Sequence, residues 1–142
     1  MRWVLDTNVM VSALIWQGTP RTLLTQGFAA GVQFHTSPEL LAELQATLHA
    51  PKLVQVQRAR RLQPDALLVT ASTLMRSIPS PPLPERFSRD PDDDAVLACA
   101  LAAKATLIVS GDKDLLVLEH FRDIPIVTAA QALTRLQRPD SP

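Results

Sequence analysis

Short apolar runs along the chain alternate with longer stretches in which apolar residues recur every three or four positions. Residues 2–5 (RWVL), 32–36 (VQFHT), 106–109 (TLIV) and 124–127 (IPIV) are the short runs, and they predict buried strands. After the first, Val9, Met10, Ala13 and Leu14 keep helical spacing until Gly18-Thr19-Pro20 breaks it. Thr19 as N-cap and Pro20 at the first helical position predict a second helix that carries Leu23, Leu24 and Phe28 to about Gly31. Ser37-Pro38 opens a third, whose stripe of Leu40, Leu41, Leu44 and Leu48 lasts until Pro51. Residues 52–63 predict a basic helix, and another follows Pro64-Asp65 through Leu67, Leu68, Ala71 and Leu74. The proline-rich segment 79–89 predicts a loop. Beyond it come a helix that opens in acid, a short helix from about Leu115, a last helix from Thr128 to about Arg135, and a flexible tail over 138–142.

This alternation calls for an α/β fold: a three-layer α/β/α sandwich whose central parallel sheet is covered on both faces and connected by right-handed crossovers. We expect one domain over residues 1–137. Open sheets of this kind hold ligands beyond the carboxyl ends of their strands. Acidic or hydroxyl residues end all four predicted strands: Asp6, Ser37, Ser110 with Asp112, and Thr128.

Composition narrows the picture. With 142 residues, 46% of them hydrophobic, the chain can bury an ordinary core, and its 12 prolines gather at element boundaries. Net charge is zero, from 14 basic and 14 acidic residues; setting four acids aside as one site leaves 10, hence +4 elsewhere, which suits an anionic partner. The single cysteine, Cys99, lies in an apolar helical stretch and reads as a small buried side chain in a reducing compartment. The absence of a secretory or spanning segment predicts a cytoplasmic protein with no membrane association. His35, His49 and His120 are isolated, which gives no zinc pattern.

The candidate chemistry is carboxylate chemistry. Asp90, Asp92, Asp93 and Asp94 fall within five residues. Two carboxylates about 4 Å apart repel by roughly 4 kcal/mol at an effective dielectric near 20, so such a cluster needs protons, basic partners or a metal. Asp6 can serve as an N-cap, but Thr7 and Asn8 can take that role and leave Asp6 facing the crevice. Glu39, in a first helical turn, suits the helix dipole; Glu43, a turn later beside the apolar stripe, is the better site candidate. On a helix advancing about 100° per residue, Asp93 falls about 10° from the centre of the stripe formed by Val96, Leu97, Ala100 and Leu101, and Asp94 about 90° away. Asp93 is therefore the candidate that enters the crevice, with Asp94 left for supporting, capping or surface roles.

Four segments together, DTNV at 6–9, SPELLAEL at 37–44, RDPDDD at 89–94 and IVSGDKDLL at 108–116, resemble a PIN-domain protein of the toxin-type branch. The resemblance covers nearly the whole chain and implies the PIN α/β/α sandwich with metal-dependent endoribonuclease activity using Mg²⁺ or Mn²⁺. Family ligands carry over to Asp6, Glu43, Asp93 and Asp112, while Thr7, Asn8 and Ser110 match positions that support them. Asp94 stands where many relatives have Asn, and Lys104-Ala105-Thr106 replaces a more usual Gly-Ala-Asp. The implied partners are an RNA substrate, a small cognate antitoxin and a second copy of the chain in a homodimer.

Hard divalent cations favour oxygen donors, and Mg²⁺ keeps several waters, so an open acidic crevice suits it; whether one or two ions bind stays open. Arg86, Arg89 and Lys113 flank the acids and are candidates for holding neighbouring phosphates, and Arg58, Arg60 and Arg61 form a separate basic patch. A phosphoacceptor receiver would want paired acids after the first strand, and a haloacid-dehalogenase-type phosphatase an Asp in place of Asn8. The remaining alternative is a PIN module without catalysis that binds RNA or protein.

Overall fold

The computed structural model describes residues 1–138; the predicted tail, apart from Arg138, lies outside the described residues. In chain order the elements are β1 (Arg2–Leu5), α1 (Thr7–Ile15), α2 (Thr19–Ala29), β2 (Gln33–Thr36), α3 (Pro38–Leu48), α4 (Pro51–Ala59), α5 (Pro64–Leu74), β3 (Met75–Ser77), α6 (Pro91–Ala103), β4 (Leu107–Val109), α7 (Lys113–Leu116), β5 (His120–Phe121), β6 (Ile124–Val127) and α8 (Ala129–Gln137). The strands form one sheet in the order β3-β2-β1-β4-β6-β5. Every pairing is parallel except β5 with β6, where His120 opposes Pro125.

Side-chain alternation along the central strands divides the core in two. Trp3 and Leu5 of β1 and Leu107 and Val109 of β4 face one way, into a cluster with α1, α2, α5 and α8. Val4 and Ile108 face the other way, onto Val96, Leu97, Cys99 and Ala100 of α6 and Leu115 of α7. This is the α/β/α arrangement that the alternation predicts, because successive residues of a strand point to opposite faces. Cys99 is fully buried in the second cluster, which raises its thiol to about 11. No helix among the described residues is long and apolar enough to cross a membrane.

Two strands escape the hydrophobic pattern. β3 has three residues, only the first of them buried, and continues directly from α5 at the sheet edge. β5 has two residues and exists through its antiparallel pairing with β6. Neither carries an apolar run that period-2 reasoning can detect. Three local expectations also change. Gly18, at φ 140, is the N-cap of α2 in place of Thr19. Phe28 is 57% exposed and outside the core, while Gly27 beside it is buried against Phe34. The short seventh helix begins at Lys113, two residues before Leu115, because Asp112 caps it.

Candidate metal centre

The carboxyl ends of β1 and β4 lie side by side, with Leu5 paired to Val109, so Asp6 and Ser110 emerge together. Asp6 is the N-cap of α1: its Oδ1 accepts from Val9 N at 2.9 Å. Thr7 and Asn8 therefore do not take the capping role, and Asp6 caps and faces the crevice at once. Its Oδ2 accepts a short hydrogen bond from Ser110 Oγ, and that same Oγ accepts from Asp112 N at 2.9 Å. Fully buried Ser110 thus ties the acid of the first strand to the acid of the fourth.

Asp112 caps α7, with Oδ1 accepting from Asp114 N at 2.8 Å. Asp90 caps α6, with Oδ1 accepting from Asp92 N at 2.9 Å ahead of Pro91 at the first helical turn. Asp93 is buried in the first turn of α6, where its Oδ2 accepts from Ser88 Oγ at 3.0 Å. Half-buried Glu43 arrives from the second turn of α3 and lines the same pocket as Thr7.

These groups line one small pocket of about 40 Å³ with Asp6, Thr7, Asn8, Glu43, Asp90, Asp92, Asp93, Val96 and Asp112 in its walls. Within it, one carboxylate oxygen each from Asp90, Asp93 and Asp112 lies within 4.8 Å of the other two. The pocket brings together all four acids expected from the sequence, and Thr7 and Asn8 with them. Asp90 and Asp92 join as well, which the sequence reading left out of the site. The signal for Asp90 was its place as an acid directly before a helical Pro, which marks an N-cap pointing at the same crevice.

Crowding leaves its mark on the acids. Burial pushes Asp93 up to about 7, with the Asp112 charge, a hydrogen bond shared with Asp112 and the Asp90 charge adding to the rise against the Ser88 bond. Burial also raises Glu43, with the Asp92, Asp90 and Asp6 charges acting in the same direction. Asp6 is raised by burial too, although the bonds from Ser110, Val9 and Gly111 oppose the shift. An excess of negative charge drawn into one low-dielectric pocket has this signature, and a proton or a cation relieves it.

Asp94 stands outside the pocket. Its Oδ1 accepts from Phe87 N at 3.2 Å and from Ser88 N at 2.9 Å, and it lines a cavity of about 500 Å³ on the other flank of α6 with Leu83, Ala95 and Ala98. That cavity is larger, but its walls are mostly apolar and share no acid with the 40 Å³ pocket. The candidate phosphate-holding cations do not line the acid pocket: Arg86 donates to Arg89 O at 2.7 Å, Arg89 pairs with Asp114 at 3.1 Å, and Lys113 is exposed. In the distal basic patch, Arg60 sits 6.0 Å over the Trp16 ring.

The family model described as PIN domain matches residues 2–114, and the chain belongs to the PIN domain family. PIN domains are generally nucleases that bind divalent metals, and the α/β fold with its mostly parallel sheet agrees with that membership. No curated protein and no solved structure matches the chain.

Proposed function

We propose that this PIN domain is a metal-dependent endoribonuclease that cleaves RNA phosphodiester bonds, and that it is the toxin of a toxin-antitoxin pair. The observation that carries the nuclease reading is the convergence of Asp6, Glu43, Asp90, Asp93 and Asp112 on one pocket at adjoining strand ends, with Asp93 pushed up to about 7. The donor set fits Mg²⁺ or Mn²⁺: it is all oxygen, it is anionic, and three of its carboxylates already approach within 4.8 Å. In this reading Asp6, Glu43, Asp93 and Asp112 hold the ion, with Asp90 as a further carboxylate beside Asp93. When bound, the ion supplies Lewis acidity that eases ionisation of the attacking water and offsets charge on the phosphodiester.

The chain's own residues supply position. Ser110 fixes Asp6 and Asp112 relative to each other, and Ser88 holds Asp93. Single-stranded RNA should be cut with Mg²⁺ or Mn²⁺ and spared in EDTA, and Asp6→Asn should remove most activity while leaving the fold in place, since an amide oxygen can still cap α1. Undiminished cleavage by that variant, or by the EDTA-treated protein, refutes the reading. The toxin role rests on the resemblance of the four segments, and it extends to a small antitoxin partner and a homodimer. A short reading frame beside the gene whose product blocks cleavage supports the pair; only monomer in light scattering at micromolar concentration counts against the dimer.

A further inference from the structure

Segment 86–89 crosses the opening turn of α6 and is fastened at several points. The Phe87 ring meets the Phe121 ring edge to face, with centroids 5.1 Å apart, and Arg89 reaches Asp114 at 3.1 Å. Phe87 N and Ser88 N both donate to Asp94 Oδ1, at 3.2 and 2.9 Å. With its backbone held, Ser88 turns its Oγ inward and donates to Asp93 Oδ2 at 3.0 Å. Phe121 lies beyond the residues matched by the family model, so part of this fastening comes from the chain's C-terminal portion.

We infer that Ser88 is a positioning residue for the metal centre: its hydroxyl sets the orientation of the Asp93 carboxylate, and Asp94 acts on the centre only by holding Ser88. Asp93 has two oxygens, and a donor fixed on Oδ2 leaves Oδ1 to turn toward Asp90 and Asp112. Partners that orient a ligand in this way are worth about 10- to 100-fold in metal affinity. Ser88 Oγ also accepts from Asp90 N at 3.3 Å, a contact that would merely close the turn into α6. Metal affinity separates the two roles, because a turn-closing contact acts on folding and not on the carboxylate's direction.

The inference rests on the metal-binding reading of the acids, and the experiment distinguishes the failure of either. Mn²⁺ alone is titrated calorimetrically into the full chain and its variants, alongside thermal melts in EDTA. The wild type should bind, Ser88→Ala should bind about tenfold more weakly, and Ser88→Thr, which keeps the hydroxyl, should stay within about threefold of the wild type. Asp94→Asn should also bind as the wild type does, because its amide oxygen accepts the same two N–H groups. If Ser88→Ala does not fold, Ser88→Cys carries the same expectation, since a thiol is a weak donor. Unchanged affinity in Ser88→Ala, or equal losses in the Ala and Thr variants, overturns the role of Ser88 while leaving the metal reading intact. No binding by the wild type overturns both.

Discussion

Replacing Asp93 by Asn should make the metal-free protein more stable while removing its response to metal. The carboxyl of Asp93 rises from 3.8 to about 7 in the folded chain, so its neutral form is favoured there and its ionisation opposes folding. The sign follows from proton linkage. Between these two values the folded state binds more protons than the unfolded one, and stability falls as pH rises. The stabilising contribution of the protonated group is complete below 3.8 and is lost as pH climbs through about 7. A shift of about three units corresponds to roughly 4 kcal/mol, and solvent at the pocket mouth screens part of it, so about 2 kcal/mol is the reasoned cost at pH 8. Asn has nearly the same shape, can accept from Ser88, can donate to Asp112 and does not ionise.

Thermal melts in EDTA measure this. A cost of about 2 kcal/mol corresponds to roughly 6 °C for a domain of this size, so at pH 8 Asp93→Asn should melt about that much higher than the wild type. At pH 4 the two should agree within about 1 °C, because folded Asp93 is then neutral. Adding Mn²⁺ at about 100 times its dissociation constant should stabilise the wild type by about 2.7 kcal/mol and leave Asp93→Asn almost unmoved, which reverses their order. A lower melting temperature for Asp93→Asn in EDTA at pH 8, or a gap that does not change with pH, refutes the account of Asp93 as a crowded acid awaiting a cation.

Further outcomes follow from other contacts. In RNA cleavage assays Asp93→Asn should abolish activity and Asp94→Asn should retain most of it, since Asp94 uses a single oxygen to accept two backbone N–H groups; the reverse ranking refutes the assignment. Gly27→Ala would place a Cβ 2.7 Å from Phe34 Cζ, so denaturant melts should show a loss of about 1–3 kcal/mol. Thr128→Ala removes one half of the capping box of α8 and should cost about 1 kcal/mol in the same assay without changing metal affinity.

Elements with a strong local signature were legible in the residues. Four strands of apolar residues, the helices between them and the strand-end rule together place Asp6, Ser110 and Asp112 at neighbouring ends, as β1 and β4 show. The helix phase that separates Asp93 from Asp94 also survives: Asp93 is buried in the acid pocket, and Asp94 lies on the other flank. What was not legible depends on tertiary pairing. β5 exists because Phe121 finds Ile124 across a tight turn, and β3 because Met75 lies beside Phe34. Arg89 looked like a free phosphate-binding cation because its partner, Asp114, is 25 residues away. Ser88 was invisible for the same reason in miniature, since a serine in a proline-rich loop reveals nothing until the loop folds back onto α6.

For Asp6 the sequence presents helix capping and site chemistry as alternatives. They are one arrangement, repeated. Asp6, Asp90 and Asp112 each cap a helix, and each does so through Oδ1, accepting from Val9 N, Asp92 N and Asp114 N respectively. One oxygen of each carboxylate is committed to the backbone, and in Asp6 the second accepts from Ser110 Oγ. The cap also sets the carboxylate's direction, since an N-cap side chain must lie across the helix mouth to reach a free N–H. Helices entered from the carboxyl ends of a parallel sheet open toward the same crevice, so their caps converge without any further design. The positive ends of α1 and α6 then offset part of the repulsion that the converging acids create. Removing any one of these three capping carboxylates should therefore cost the protein twice, once at the helix start and once in the site. Asn is the replacement that separates the two losses: its oxygen keeps the cap while its amide withdraws the charge.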